Sequence, residues 1–429
     1  MVERRTPISV TEAVNRVMNF AKKGEIKTVS IEKSEGRYLA GNIIATHDVP
    51  PFNRSPYDGF AIRSIDTANA SEQNPVKFEV IDEIGAGQVC QKRVGLYQAV
   101  RIMTGAQLPE DCDAIVMYEL TKEFEENGKK YMTIKRPFEK WSNISFKGED
   151  TKEGTELVKE GTYINPGVMA LLATFGYTKV PVSKQPIIGI LSTGTELLEV
   201  HEKLEPGKIR NSNQYMIFSQ VKKSGAIPKL FAQKSDDIEL CYQAVKDALK
   251  QVDFLITTGG VSVGDYDYLP EIYRRLGANV LFNKVGMRPG SVTTVAEKDG
   301  QLLFGLSGNP SACFVGYELF VRPIVKYYLH SKTPYLKMVK AYLGRDFPKA
   351  NPFTRFVRSK LIFDNGKLYA VPVGLDKSSM VSALSEVNSF IVLPGGSRGY
   401  RKETLVNVLL LDDIEGSESP WEEFQKSFK

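Results

Sequence analysis

The sequence predicts a multidomain protein that combines an α/β domain on a mostly parallel sheet with β-rich domains before and after it. Residues 185–331 alternate short apolar runs with amphipathic stretches, the pattern of a parallel sheet with helices on both faces. Residues 76–134 and 332–429 instead show short β-like runs separated by turns. A length of 429 residues suggests about three domains, each able to bury its own core.

The amino-terminal half is predicted to begin with an amphipathic helix, because apolar residues recur every three or four positions across residues 7–23. Ser9 precedes Glu12 by three positions, the spacing of a capping box. A second helix is expected over residues 165–175, with Pro166 at its first position. Between the two helices we predict strands at residues 60–62, 77–81, 97–102, 114–118 and 130–134.

The α/β pattern starts after Pro186. Apolar runs predict strands at residues 187–191, 229–232 and 253–256, and helical periodicity predicts helices at 213–224, 236–252, 268–276 and 311–329. In the carboxyl-terminal part, strands are predicted at residues 340–343, 355–362, 367–373, 389–393 and 404–410. Asn365-Gly366 is a strong signal for a hairpin between the second and third of these strands.

Composition excludes several function classes. An apolar fraction of 42% and a charged fraction of 25% are those of an ordinary globular protein. The net charge is only +5, without a run of five or more basic residues, which disfavours nucleic acid as the main partner. No stretch has the apolar length of a signal peptide core or a membrane span, so we expect a cytoplasmic enzyme or binding protein.

The cysteines give no sign of a zinc site or a disulfide framework, because Cys90, Cys112, Cys241 and Cys313 are widely separated and form no C-x-x-C motif. We expect them to be buried structural thiols in a reducing compartment.

The most informative stretch is the glycine-rich turn at residues 257–268, between a buried strand and a helical pattern. Gly259 and Gly260 would let backbone N–H groups approach an anion, and Asp265 and Asp267 would place two carboxylates beside it. An ordinary turn with solvated aspartates is the alternative, since such motifs have a known false-positive risk.

Two other loops are expected at the same sheet edge. The first strand of the domain is followed by Ser192-Thr193-Gly194-Thr195-Glu196, and the last by Ser307-Gly308-Asn309-Pro310. The second loop opens a helix, whose free N–H groups and dipole would favour a phosphate or another oxyanion. Lys284 and Arg288 are four residues apart, so on a strand they would share a face and could reach one anion; two solvated basic residues are the alternative.

Taken together, the motifs closely resemble those of the molybdopterin molybdenumtransferase family, which includes the bacterial MoeA proteins and the E domain of gephyrin. The matching segments occur in the family's order at residues 50–61, 101–106, 147–150, 192–197, 258–268, 287–290 and 307–312. The resemblance implies insertion of molybdate into adenylylated molybdopterin, with Mg²⁺, to give molybdenum cofactor and AMP.

The same resemblance implies four parts: a small mixed linker domain at 1–48 and 146–184, a β-rich insert at 49–145, a three-layer MogA-like α/β domain at 185–331, and a β-barrel-like domain at 332–429. It also implies an elongated homodimer, with the active cleft between the α/β domain of one subunit and the β-rich parts of the other. Other proteins of cofactor synthesis and acceptor apoenzymes are further possible partners.

Site residues are carried over from the family by position. Catalytic roles are implied for Asp58, Thr104, Asp267 and Lys284, and metal binding for Asp267 with Asp265 or Glu196. We expect substrate binding by Asp150, Ser192, Thr193, Gly194, Glu196, Asp236, Gly259, Gly260, Arg288, Ser307, Gly308, Asn309 and Pro310.

Three positions depart from the family pattern. Arg288 stands where many members have Lys, which keeps the charge but changes the donor geometry. Ser145 and Ser291 stand where basic residues are common, which affects the details of anion binding and not the reaction class. The alternative functions are a molybdopterin adenylyltransferase, which the α/β domain alone resembles, and a non-catalytic scaffold that binds peptides as gephyrin does.

Overall fold

The computed structural model describes residues 6–231, 237–259, 269–349 and 352–411. The α-helices of this part are α1 (Val10–Met18), α2 (Pro166–Thr174), α3 (Ser212–Ser224), α4 (Ile238–Leu249), α5 (Leu269–Arg275), α6 (Pro310–Gly316) and α7 (Arg322–Tyr328). Short 3₁₀ turns cover Ile31–Ser34, Ser64–Thr67, Tyr118–Leu120 and Ser382–Glu386.

The strands of the first half are β1 (Ile26–Ser30), β2 (Ile43–Ile44), β3 (Gly59–Ile62), β4 (Val76–Ile84), β5 (Gln98–Ile102), β6 (Ala114–Met117), β7 (Lys122–Glu126), β8 (Lys129–Ile134), β9 (Glu156–Val158) and β10 (Lys179–Ser183). The α/β part contains β11 (Ile187–Ser192), β12 (Leu197–Leu198), β13 (Ile209–Arg210), β14 (Ile227–Phe231), β15 (Phe254–Thr258), β16 (Asn279–Phe282), β17 (Met287–Arg288), β18 (Thr294–Lys298) and β19 (Gln301–Leu306). The last strands are β20 (Met338–Leu343), β21 (Thr354–Asp364), β22 (Lys367–Pro372), β23 (Ser389–Leu393) and β24 (Leu405–Leu410).

The chain divides into two compact units. The insert unit comprises Asn42–Lys159 and Leu171–Tyr177, and the larger unit comprises Met1–Gly41, Glu160–Ala170 and Thr178–Lys429. None of the helices in the described ranges could span a membrane.

The insert unit is built on a sheet with the strand order β6-β3-β5-β4-β8-β7. All four residues of β3 are buried, because successive side chains point to opposite faces and both faces are covered. Phe60 and Ile62 pack into one apolar cluster, while Ala61 packs into a second cluster with Val100 and Ile115. The predicted β-rich insert is therefore confirmed as a sheet with a core on each side.

The α/β part of the larger unit has three layers around a sheet with the order β14-β11-β15-β19-β18-β16. The first four strands pair in parallel, and β18 pairs antiparallel with both of its neighbours. One face packs against α4 and α5, the other against α1, α3 and the last helices. The prediction of a mostly parallel sheet covered on both faces is confirmed.

The last helix of the α/β part runs from α6 to α7 through a π-helical turn at Tyr317–Val321. Pro310 occupies its first position, where the missing proline N–H costs nothing. A turn of this kind inserts one residue and is often found near functional sites. The predicted helix at residues 311–329 is confirmed in extent, although its periodicity gave no sign of the π turn.

The carboxyl-terminal strands close into a barrel with the order β21-β22-β20-β24-β23, since β23 also pairs with β21. Asp364 pairs with Lys367, so Asn365-Gly366 forms the two-residue hairpin turn that the sequence predicts. Both turn residues have positive φ, +47° and +76°, as this turn type requires.

Candidate functional site

In the insert unit, three predicted motifs lie side by side. The segment at residues 50–61 forms backbone hydrogen bonds on two sides. Arg54 pairs with Ser145, and Ser55 pairs with the turn at Gly105-Ala106. The N–H of Asp150 donates to the carbonyl of Val49 at 3.0 Å. These contacts join segments that are about fifty or more residues apart in the sequence into one exposed loop cluster.

Asp58 and Thr104 meet in this cluster. The carboxylate oxygen Oδ1 of Asp58 accepts hydrogen bonds from the backbone N–H of Thr104 at 2.7 Å and from its hydroxyl at 2.8 Å. The backbone bond, then the hydroxyl bond, hold the pKa of Asp58 below its usual value, and nearby Arg101 adds to this. Both residues are exposed, so a charged carboxylate beside a hydroxyl is presented to solvent.

In the larger unit, the loops after β11, β15 and β19 converge at the carboxyl edge of the parallel strands. They enclose a pocket of about 80 Å³. The residues that line it are Thr193, Glu196, Leu197, Ile209, Arg210, Asn211, Ser212, Asn213, Thr258, Gly259, Gly308 and Pro310. Of the predicted residues, Thr193, Glu196, Gly259, Gly308 and Pro310 are thus brought together.

Gly259 is required by close contact between the first two loops. Its φ is +90°, and a Cβ atom at this position would lie 2.5 Å from the carbonyl oxygen of Thr193. The N–H of Thr193 in turn donates to the carbonyl of Thr258 at 3.1 Å. A side chain at position 259 would both strain the backbone and separate the loops.

Ser192 and Gly194 are buried behind the pocket, and Glu196 is exposed at it. The hydroxyl of Ser192 donates to the side-chain oxygen of Asn211 at 3.4 Å. Ser192 therefore supports the segment before α3 within the protein, so the structure places Thr193 and Glu196, rather than Ser192, at the pocket.

The start of α6 differs from the prediction of free N–H groups. The N–H of Ser311 donates to the carbonyl of Ser378 at 3.0 Å, and its hydroxyl donates to the carbonyl of Met380 at 2.7 Å. Ser307 accepts a hydrogen bond from the N–H of Asn309 through its hydroxyl. A loop of the barrel thus occupies part of the helix start that the sequence assigns to an anion.

Two arginines of β21 bind the barrel loop at residues 375–380. Arg358, 4% exposed, donates to the carbonyls of Leu375, Lys377 and Met380, and Arg355 pairs with Asp376. Burial lowers the pKa of Arg358. The barrel therefore fixes the loop that contacts the first turn of α6.

The prediction that Lys284 and Arg288 share one strand is wrong. Arg288 belongs to β17, which pairs with β21 of the barrel, whereas Lys284 lies before this strand and accepts a bond from the N–H of Ile8. The two ends of this segment have different partners, since Val285 forms a bridge with Ile8 and Arg288 pairs with Arg355 of β21. The loop that follows β17 packs against α6, because a Cβ on Gly290 would lie 3.3 Å from the carbonyl oxygen of Ala312.

Several predicted residues lie outside the described residues: Asp236, Gly260, Asp265 and Asp267. Among the described residues, no group of three or more His, Cys, Asp or Glu side chains is arranged to hold a metal ion. Glu196 supplies one exposed carboxylate at the pocket. One or two carboxylates together with substrate phosphates are a common ligand set for Mg²⁺, so this donor fits that ion.

Sequence reasoning missed the pocket wall at Arg210–Asn213. Asn211 caps α3 by accepting from the N–H of Gln214, and Asn213 donates to Thr258 and Gly308 across the pocket floor. Helical periodicity predicts only a helix over residues 213–224, although the amide of Asn211 meets Ser192 at the end of β11 and the amide of Asn213 meets Thr258 at the end of β15.

None of the four cysteines forms a disulfide. Cys112, Cys241 and Cys313 are buried as expected, and Cys90 is partly exposed. Burial raises the pKa of Cys112 and of Cys313 to about 12, which disfavours the nucleophilic thiolate form of both.

Three family models match the chain in order. They are the MoeA N-terminal region (domain I and II) at residues 8–176, a probable molybdopterin binding domain at 189–327, and the MoeA C-terminal region (domain IV) at 340–411. The molybdopterin molybdenumtransferase of Bacillus subtilis (strain 168) is 59% identical over 429 residues, the whole length of both chains. The enzyme of that name from Staphylococcus aureus (strain Mu50) is 52% identical over 96% of this chain and 97% of its own.

Solved structures agree with these matches. A molybdopterin biosynthesis MoeA protein of Pyrococcus horikoshii is 28% identical and superposes with a TM-score of 0.83, covering 95% of this chain and 100% of its own.

Proposed function

The chain belongs to the MoeA family of molybdopterin molybdenumtransferases, and we propose that it inserts molybdate into adenylylated molybdopterin, with Mg²⁺, and releases AMP. The observation that carries this proposal is the match of all three MoeA regions in chain order along a full-length relative of that name. The same comparisons identify an enzyme of molybdenum cofactor biosynthesis that acts on a small-molecule substrate.

The chemistry of the substrates fits the pocket of the larger unit. Adenylylated molybdopterin carries a pyrophosphate and molybdate is a dianion, so the site must neutralise several negative charges. We assign phosphate and pterin binding to the loops at residues 192–196, 259–260 and 307–310, with Asp236 and Asp150 as further contacts. Lys284 and Arg288 supply positive charge, each from its own segment, since they do not share a strand.

We assign Mg²⁺ to Asp267, with Asp265 or Glu196 as second carboxylate. Bound there, the ion would polarise the pyrophosphate that links AMP to the pterin, where the bond that releases AMP is broken. The protein's own contribution is to orient the pyrophosphate through the backbone of the glycine-rich loops, so that its bridging P–O bond is presented for attack by an oxygen of water or of molybdate.

Asp58 and Thr104 are assigned to the placement of molybdate. Support comes from their geometry: two hydrogen bonds join Asp58 to Thr104 in one exposed loop cluster and fix the direction of the carboxylate, so the two side chains act at one place. We further propose a homodimer as the working form, in which these residues serve the α/β domain of the other subunit, as the family resemblance implies.

Two finer assignments accompany this proposal. The four-part division at residues 1–48 with 146–184, 49–145, 185–331 and 332–429 remains our domain assignment. We assign the cytoplasm as the location, since none of the four cysteines is paired in a disulfide.

The metal assignment is tested by Asp267→Asn. This change removes a negative charge but keeps the side-chain size, so Mg²⁺-dependent AMP release from adenylylated molybdopterin should fall by at least about a hundredfold. Asp247→Asn is a matched control, because Asp247 has a half-buried side chain on α4 that bonds to Lys250 and Gln243 of the same helical segment and lies outside the pocket lining. Unchanged turnover by the Asp267 variant would contradict its role in metal binding.

Incubation with ATP and free molybdopterin distinguishes an adenylyltransferase from the proposed enzyme, and incubation with adenylylated molybdopterin distinguishes the proposed enzyme from a scaffold. An adenylyltransferase would consume ATP and form the adenylylated pterin, whereas the proposed enzyme requires that compound as its substrate. A non-catalytic scaffold would do neither.

A further inference from the structure

The amide side chain of Asn213 is fixed in one orientation. It lies in the first turn of α3, is 8% exposed, and lines the pocket at the strand ends. Its Nδ2 group donates to the hydroxyl oxygen of Thr258 at 3.1 Å and to the carbonyl oxygen of Gly308 at 2.8 Å. A carbonyl oxygen can only accept, so the NH₂ group must face Gly308 and the amide cannot be flipped.

The other end of the same amide is left without a donor. Among the described residues, the buried oxygen Oδ1 of Asn213 has no hydrogen-bond partner. A buried acceptor without a donor is unfavourable, and each such group in a native protein needs an explanation. Asn211, two residues earlier, shows the contrast, because its amide bonds to Gln214 and Ser192 lie within the protein.

The chemistry of this oxygen limits what it can bind. It carries partial negative charge and accepts hydrogen bonds only, so it repels the oxygens of phosphate or molybdate. The neighbouring wall is different, since Thr193 and Gly259 offer a hydroxyl and backbone groups, and Arg210 offers a positive charge. One pocket therefore contains a position for anions and a separate position for a neutral donor.

We propose that Oδ1 of Asn213 accepts a hydrogen bond from an N–H or O–H group of the adenylylated pterin, and thereby positions the substrate next to the loops that hold its phosphates. This inference rests on the proposed function and adds a residue that selects the substrate by its neutral part rather than by its charge. The donor belongs to the nucleotide, through its amine or a ribose hydroxyl, or to the pterin, through a ring N–H or its amine.

The test combines Asn213→Ala with ligands that lack single donors. Affinities of wild type and variant are measured by calorimetry for AMP, 2′-deoxy-AMP, 3′-deoxy-AMP and purine riboside 5′-monophosphate, and KM and kcat for adenylylated molybdopterin. If the nucleotide supplies the donor, the variant should bind AMP roughly threefold to tenfold more weakly, the range of one buried hydrogen bond. The analogue without that donor should then bind both proteins equally.

If the pterin supplies the donor, AMP affinity is unchanged, but KM for adenylylated molybdopterin rises by the same factor while kcat is kept. Equal binding and equal KM in both proteins would overturn the inference, as would equal weakening for every ligand, which indicates a structural role only.

Should the variant not fold, the Asn213 ¹³Cγ resonance of the wild-type protein must shift on addition of substrate or AMP; no shift with either overturns the inference. A wild-type protein that neither binds AMP nor turns over adenylylated molybdopterin would overturn the proposed function itself, and this inference with it.

Discussion

The carboxylate of Asp58 receives both of its hydrogen bonds from one residue, Thr104, 2.7 Å from the backbone N–H and 2.8 Å from the hydroxyl. The two residues are 46 positions apart in the sequence. The strands that carry them, β3 and β5, are neighbours in the insert sheet, with Gly59 opposite Ile102. The sheet register therefore fixes the distance between a charged carboxylate and a hydroxyl at the strand ends.

Thr104→Val should raise the pKa of Asp58 part of the way to its usual value. Valine keeps the backbone bond, which is the largest cause of the lowered pKa, and removes the hydroxyl bond, which is the second. A lowered pKa keeps the carboxylate charged to lower pH, so the activity of the variant should fall off at a higher pH than that of wild type. A ¹³C NMR titration of Asp58 and a pH profile of AMP release measure both effects, and identical titration curves would contradict the assignment.

Gly259→Ala should destabilise the larger unit by more than about 2 kcal/mol, because the positive φ and the clash with the Thr193 carbonyl both oppose a side chain. Gly277→Ala is the matched control: its φ is +65°, but nothing lies within 4 Å of the added Cβ. The control should cost about 1 kcal/mol from the backbone alone. Urea unfolding compares the two, and equal losses would show that the loops at Thr193 and Gly259 are not in close contact.

Lys326→Met should remove a pH dependence of stability. Burial lowers the pKa of Lys326 from 10.5 to about 8, since this lysine is only 7% exposed, and the neighbouring charge of Arg322 lowers the pKa further. Between about pH 8 and pH 10.5 the unfolded chain holds a proton that the folded protein has lost, so the unfolding free energy of the wild type rises with pH over this range. Below about pH 8 the destabilisation caused by the buried lysine is fully present. Relative to the variant, wild type should gain about 3 kcal/mol between about pH 7 and pH 10.5.

The measurement is the difference in unfolding free energy between wild type and the Lys326 variant across that pH range. A constant difference would mean that Lys326 titrates normally. Lys298→Met is a surface control, since Lys298 pairs with exposed Asp299 and should show little change.

Features with a local origin were predictable from the sequence. The buried strand Phe254–Thr258 follows from an uninterrupted apolar run, and the hairpin at Asn365-Gly366 follows from residues that tolerate positive φ. The convergence of the loops at Thr193, Gly259 and Gly308 also followed, because the carboxyl ends of parallel strands share one edge.

Features that depend on distant pairing were not predictable. The strand register of Arg288 is set by β21 of the barrel, which the spacing to Lys284 does not reveal. The hydrogen bond from the N–H of Ser311 to the carbonyl of Ser378 joins α6 to a loop of the barrel, and no local sequence pattern indicates that contact. The sequence does not reveal that Oδ1 of Asn213 lacks a donor among the described residues, because this follows from the positions of Thr258 and Gly308, which fix the amide group.

The central claim is tested most directly by the coupling of AMP release to molybdate. Purified protein is mixed with adenylylated molybdopterin and Mg²⁺, with and without molybdate, and AMP and pterin-bound molybdenum are measured together. We predict one molybdenum inserted for each AMP released, and AMP release at least about tenfold slower without molybdate. AMP release at the same rate without molybdate, or no release under either condition, would contradict the proposed function.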